Sequence, residues 1–287
     1  MAETLLQACR ARLARAASVY PVFLIAASGG KDSNALFPLL AELRQKDPRI
    51  RVGAYHYTIV PGLECVERPI HALCKRYDVP LRVLPASILC DLVFQGYHRE
   101  RTGAVNAAYQ NRIKMADVEL AARVWLACHL SGCEETDLMP QEGEEQAKLT
   151  LRDLKVDPFQ VWYVGGQRQG DSLERRAMLS SFRKQTAERG GVRMSTGGEI
   201  GLNPKERRVY PLCDWATADV LAYCRGMRLP PAADLGKTST SGVNPGDGPC
   251  MLAMRKHYPK DFERVVARFP NARAVAEAAA AEAAHLS

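Results

Sequence analysis

Metal-binding cysteine pairs are missing from this sequence. Its nine cysteines include no Cys-x-x-Cys, and the nearest two, Cys128 and Cys133, have four residues between them and no second pair in register. Zinc and iron–sulfur sites are therefore unsupported. An odd, scattered set is poor material for a disulfide framework and suits reduced thiols, so a cytoplasmic location is expected. Long hydrophobic runs are missing too: the most apolar early stretch, Val19 to Ala27, is too short to cross a bilayer, and Met1-Ala2-Glu3-Thr4 does not read as a cationic leader, so no membrane partner is expected. Nor is there a run of five or more Lys/Arg. The net charge of +7, from 39 basic and 32 acidic residues, permits a nucleic-acid partner without implying one. With 47% apolar and 25% charged residues the composition is that of a soluble globular chain rather than a disordered or fibrous one. Its 287 residues suffice for one large α/β domain, or for a domain of about 200 residues with an appended lobe.

What is present alternates. Glu3 to Ala17 carries Leu5, Leu6, Cys9, Leu13 and Ala16 near helical spacing, with arginines between them, and predicts a leading amphipathic helix. Val22 to Ala27 is a continuous apolar run of the sort buried on both faces of a parallel sheet. A glycine pair follows, and from Ser33 to Lys46 the residues Ala35, Leu36, Leu39, Leu40 and Leu43 restore helical spacing. Arg51 to Tyr57 predicts a second strand, Glu64 to Tyr77 a helix, Leu81 to Leu84 a third strand, Ala116 to Leu130 a helix and Val161 to Val164 a further strand. Strands alternating with helices argue for βαβ crossovers and a parallel sheet. Glu134 to Glu145 reads as an exposed acidic connection, Thr217 to Arg225 as a helix ended by Pro230-Pro231, Lys237 to Gly248 as a loop or flexible lid, and Ala274 to Ala284 as a terminal helix.

The first glycine turn, Ser28-Gly29-Gly30-Lys31-Asp32-Ser33, describes an anion cradle. Backbone N–H groups at a strand-to-helix turn can surround phosphate oxygens, and the helix dipole favours negative charge there. The glycines allow close approach, Lys31 can neutralise a phosphate, and Ser28 and Ser33 offer hydroxyls at the two ends of the turn. A Walker A loop would need glycine five residues before the Gly-Lys pair, where Ile25 stands, and no Gly-x-Gly-x-x-Gly follows a strand.

Three motifs in order, over roughly residues 20 to 235, resemble one family. The Ser-Gly-Gly-Lys-Asp-Ser turn after an apolar strand looks like the PP-loop of the adenine nucleotide α-hydrolase-like superfamily. Gly166-Gln167-Arg168-Gln169-Gly170-Asp171-Ser172-Leu173-Glu174-Arg175 looks like a Gly-x-Arg-x-x-(Glu/Asp)-Ser-x-x-Arg segment of the phosphoadenosine phosphosulfate (PAPS) reductase family. Arg208 to Val220, with Pro211, Trp215 and Asp219-Val220, resembles that family's later segment. The resemblance implies a Rossmann-like parallel sheet flanked by helices with a C-terminal helical and loop extension. It implies a nucleotide-binding domain over residues 1–235 with its leading helix, and an extension over 236–287. It further implies that Ser28, Gly29, Gly30, Lys31, Asp32 and Ser33 bind an adenine nucleotide, with Lys31, Arg168 and Arg175 as the catalytic cations. Arginine forks could take phosphate or sulfate oxygens bidentately, or pair with Asp171 and Glu174 on the surface. Ser172 is open between contacting the ligand and capping the helix that follows. Tyr57 and Thr58, at the end of the second strand, fall where the resemblance puts adenine, while Trp215 and Asp219 read as structural.

The resemblance has departures. Assimilatory reductases carry a terminal Glu-Cys-Gly-apolar-His segment, whereas this chain ends Ala-His285-Leu286-Ser287 and has its last cysteine, Cys250, in a Gly/Pro context. The Gly-Gly-Lys-Asp-Ser form of the loop looks instead like that of members that split ATP to an adenylate and pyrophosphate. The first expectation is therefore an ATP-using enzyme that adenylates an unidentified acceptor, with Mg2+ assisting and no residues identifiable as its ligands. The second is a thiol-dependent reductase of PAPS or adenylyl sulfate (APS), for which Cys250 would be essential. The third is a nucleotide-binding regulatory subunit, one that positive charge could direct to nucleic acid. A homo-oligomer is compatible with all three.

Overall fold

The computed structural model describes residues 2–58, 60–85, 115–138, 147–189, 192–195, 197–232 and 243–285. Helix α1 (Ala2–Val19) leads into β1 (Val22–Ala26), α2 (Lys31–Lys46), β2 (Arg51–Thr58), α3 (Glu64–Tyr77) and β3 (Leu81–Pro85). After α4 (Met115–Ser131) come β4 (Trp162–Val164), α5 (Leu173–Ser181), a 3-10 turn (Phe182–Lys184) and a separate antiparallel ribbon of β5 (Thr186–Arg189) and β6 (Val192–Ser195). Two-residue strands β7 (Leu202–Asn203) and β8 (Arg208–Val209) precede α6 (Thr217–Gly226), α7 (Gly248–His257), α8 (Pro259–Arg268) and α9 (Asn271–His285).

The six-stranded sheet runs β3-β2-β1-β4-β8-β7. All neighbours are parallel except β7 and β8. β1 shows why it sits at the centre. Phe23 and Ile25 point into the layer of α1, α2, α3 and the C-terminal helices, and Val22 and Leu24 into the layer of α4 and α5, so an all-apolar strand is covered on both faces. The chain leaves β1 toward β2 and β3 on one side and later returns to β4 on the other. The connections from β1 and β4 thus diverge, which opens a crevice beyond the carboxyl ends of those two strands.

The expected strands and helices from Glu3 to Val164 are present with ends shifted by a few residues, as are the helices over Thr217 to Arg225 and Ala274 to Ala284. Two helices fill the stretch between the expected loop and the expected terminal helix, and the first of them corrects the loop setting expected for Cys250. Cys250 lies inside α7, whose N-cap Asp247 accepts from Cys250 N at 2.8 Å, and Pro259 opens α8. Both helices bury residues in the same core as α1 to α3. Residues 237–242, half of the expected loop from Lys237 to Gly248, lie outside the described residues, as do the 235/236 domain boundary and the acidic connection beyond Leu138.

Candidate active site

The glycine turn lies at the end of β1, in the crevice. Gly29 has φ 74°, and a Cβ there would stand 3.0 Å from Val66 O and 3.1 Å from Val66 Cγ1, so α3 passes too close for any larger residue. The two serines lace the turn internally. Ser33 Oγ donates to Gly30 O at 3.0 Å and accepts from Ser28 N at 3.2 Å, while Ser28 Oγ accepts from Gly30 N at 3.4 Å. Buried Asn34, which sequence reasoning passed over, donates from Nδ2 to Gly29 O at 3.5 Å. His56, buried on β2, has Nδ1 2.8 Å from Ala27 O, and burial pulls its pKa below the usual 6.5. The turn is thereby fixed from inside and beneath, with the amides of Ser28 and Gly30 engaged by its own serines.

The second motif runs beside the first. A Cβ on Gly166 would lie 2.9 Å from the Asp32 carbonyl carbon and 3.1 Å from Ser33 N, so that glycine lets the segment after β4 rest on the start of α2. Charges then alternate across the junction. Lys31 Nζ is 2.9 Å from Asp32 Oδ2, Arg168 Nε is 2.9 Å from Asp32 Oδ1, Arg168 Nη2 is 2.8 Å from Asp171 Oδ1, and Arg175 Nη1 is 2.9 Å from Asp171 Oδ2. The Arg168–Asp32 contact is an ion pair without hydrogen-bond alignment, leaving Asp32 Oδ1 and Arg168 Nε unsatisfied. Arg168 Nη1 also reaches Thr217 Oγ1 at 3.1 Å, so the third motif closes on the second.

This order distinguishes the cations. The Arg168 side chain is 6% exposed and engaged by partners from three segments, whereas Lys31 and Arg175, at the two ends of the chain of charges, are 29% and 36% exposed. Ser172 caps α5, its Oγ accepting from Arg175 N at 3.2 Å. Tyr57 and Thr58 end β2 beside β1. Buried Thr58 spends its hydroxyl on Val60 O at 2.8 Å, while Tyr57 is partly exposed. Trp215 stands edge-on to Tyr223 with centroids 5.4 Å apart, and Asp219 Oδ2 accepts from Ala216 N at 2.8 Å, both structural positions. Asp171, not singled out from the sequence as a ligand or catalyst, joins Arg168 to Arg175 and also accepts from Arg168 N at 2.8 Å.

No family model matches the chain. It is 38% identical over 64 residues to a tRNA(Ile)-lysidine synthase from Haemophilus influenzae; the match takes in 21% of this chain and spans 15% of that protein's length. A PAPS reductase from Candida auris in phosphate complex superposes with a TM-score of 0.40 and 12% identity, covering 81% of this chain and 87% of the other. An NH3-dependent NAD synthetase from Campylobacter jejuni gives 0.39 and 10%, covering 96% of each chain. The glycine turn closes the central strand of a mostly parallel α/β sheet at the point where the strand order diverges, and the three motifs gathered around it are those whose sequence resembles the PAPS reductase family.

Proposed function

We propose that this chain binds ATP at the Ser28–Ser33 turn and catalyses attack by an acceptor on the α-phosphorus. The acceptor forms the new P–O bond, the bridging bond to the β-phosphate breaks, and pyrophosphate departs with the electron pair. The observation that carries this reading is the turn itself, an anion cradle at the crevice of a parallel sheet with Lys31 and Arg175 as its accessible cations. Lys31, the amides and Arg175 would stabilise charge gathering on the leaving group. Arg168 would support them by holding Asp32 and Asp171. The 64-residue likeness to a synthase fits bond formation better than reduction. We read residues 1–235 as the nucleotide-binding body and 236–287 as an extension that buttresses it.

Magnesium would arrive on the nucleotide's phosphates. Asp32 is the carboxylate within the glycine turn, and its two oxygens already contact Lys31 and Arg168. Among the described residues no group of three His, Cys, Asp or Glu could hold a metal. These residues do not fit a protein-held ion, and no step above passes through one.

The reductase reading loses support at its thiol. Cys250 is fully buried in α7, and Cys224, whose Sγ donates to Lys31 O at 3.5 Å, has a pKa pushed up to about 11 by burial, which leaves little thiolate at neutral pH. Among the described residues no helix is long and apolar enough to cross a membrane. The test is product analysis with ATP radiolabelled on its α-phosphate, alone and with total RNA as acceptor source. Label on the acceptor, or in AMP where water attacks instead, is expected together with an equal amount of pyrophosphate, with Lys31→Ala about 10²- to 10³-fold slower at an unchanged melting temperature and Cys250→Ser retaining most activity. ADP as product, or sulfite release from an adenylyl sulfate that depends on Cys250, would overturn the proposal.

A further inference from the structure

Helix α5, beside the site, is mostly uncovered by the fold. Among its residues Leu179 is buried, while Leu173 is 76% exposed and Met178 36%. Its sequence, Leu-Glu-Arg-Arg-Ala-Met-Leu-Ser-Ser, runs into the 3-10 turn Phe-Arg-Lys, which places Arg175, Arg176, Arg183 and Lys184 within ten residues. Arg176, Arg183 and Lys184 are exposed and meet no acidic partner among the described residues. Arg176 lies in α5 itself, and Arg183 and Lys184 in the 3-10 turn that follows it directly.

Two features distinguish this from an ordinary solvated face. Arg175 and Arg176 stand in the first turn of the helix, at the positive end of its dipole; Asp171 offsets Arg175, whereas Arg176 has no ion-pair partner among the described residues. Arg175 is also the outer end of the line of charges through Asp171, Arg168 and Asp32 to Lys31, so the basic face begins at the rim of the candidate nucleotide site. Two exposed apolar side chains on a nine-residue helix give little area to seat in a bilayer. Planar arginines in a row match the successive phosphates of a nucleic-acid strand.

We infer that α5 and the turn after it form the docking surface for a single-stranded segment of RNA, held through its backbone by Arg176, Arg183 and Lys184 so that the adjoining nucleotide meets the crevice. An acceptor atom inside a duplex could not reach the turn, which is why the segment must be unpaired. The inference deepens the proposed function by giving the acceptor's chemical class, and it rests on that reading for the direction in which the strand runs.

The test measures RNA binding without ATP, so its outcome is independent of the nucleotide reading. The full-length protein is titrated against a fluorescein-labelled unstructured RNA of about 20 nucleotides over a series of salt concentrations. Removing three phosphate contacts in Arg176→Gln/Arg183→Gln/Lys184→Gln should make the slope of log affinity against log salt shallower by about 2. A control with the same charge change at exposed positions away from α5, Arg68→Gln/Lys256→Gln/Lys260→Gln, should leave the slope as it is. Should the first triple fail to fold, Arg176→Gln and Arg183→Gln alone should each lower the slope by about 0.7. No RNA binding at low salt, or equal losses in the α5 set and the control set, would refute the inference.

Discussion

Replacing Gly29 by alanine tests the candidate site at its tightest point, and the structure supplies its own control. Two penalties are expected. Holding a side-chain-bearing residue at φ 74° costs about 1–2 kcal/mol. The new methyl, 3.0 Å from Val66 O and 3.1 Å from Val66 Cγ1, must also push α3 or the turn aside, adding about 1–3 kcal/mol. Gly62 separates the two, because its φ is 80° but nothing lies within 4 Å of its Cβ position, so Gly62→Ala should show only the first penalty. Gly170, with neither a positive φ nor a neighbour within 4 Å, should be neutral or gain up to about 1 kcal/mol through the unfolded chain. At about 2–4 °C per kcal/mol, Gly29→Ala should melt about 2–12 °C below Gly62→Ala. Calorimetric titration with ATP should show at least about a tenfold loss for Gly29→Ala and none for Gly170→Ala, since only the former moves the turn's amides. Equal melting temperatures for Gly29→Ala and Gly62→Ala would refute the contact with α3. ATP affinity untouched by Gly29→Ala would refute the turn as the nucleotide site.

The arginines of the second motif should separate by burial. Arg168→Gln leaves Asp32 and Asp171 without their shared cation and should cost about 3–5 kcal/mol in a denaturant melt. Arg175→Gln, at a half-exposed ion pair, should cost under about 1 kcal/mol while weakening ATP binding. The reverse order of stability losses would contradict the assignment of roles. His56 should give a pH-dependent term. Burial holds its folded pKa below 6.5, so the unfolded chain takes up the proton first; this contribution is full above about pH 6.5 and is lost as pH falls through the lower folded value, with a slope of at most about 1.4 kcal/mol per pH unit. The stability difference between the parent and His56→Gln, followed from pH 8 to pH 5, should narrow on the acid side, and a constant difference would rule the term out.

The alternation of apolar runs and helical spacings from Val22 to Tyr77 determined the βαβ arrangement, because a strand covered on both faces must be apolar throughout and a helix covered on one face must repeat every three to four residues. The glycine turn was legible for a related reason, since Gly-Gly-Lys between such elements has few other uses. Helices α7 and α8 were legible in principle. Asp247 two residues before Pro249 is a helix-start signal that the preceding Ser, Thr, Gly and Pro obscured, and Pro259 at the start of an amphipathic segment is a second such signal. The two-residue strands β7 and β8 carry too few side chains for any period to show. Only the tertiary structure decided the roles of the arginines. A guanidinium is equally able to grip a phosphate or a carboxylate, and Arg168 is committed because Asp32 and Thr217, from two distant segments, join Asp171 of its own segment around it at the junction of α2, the segment after β4 and α6. Arg175, seven residues on, is held by Asp171 alone among the described residues and keeps an exposed face, and that difference arises from burial, which no local sequence pattern encodes.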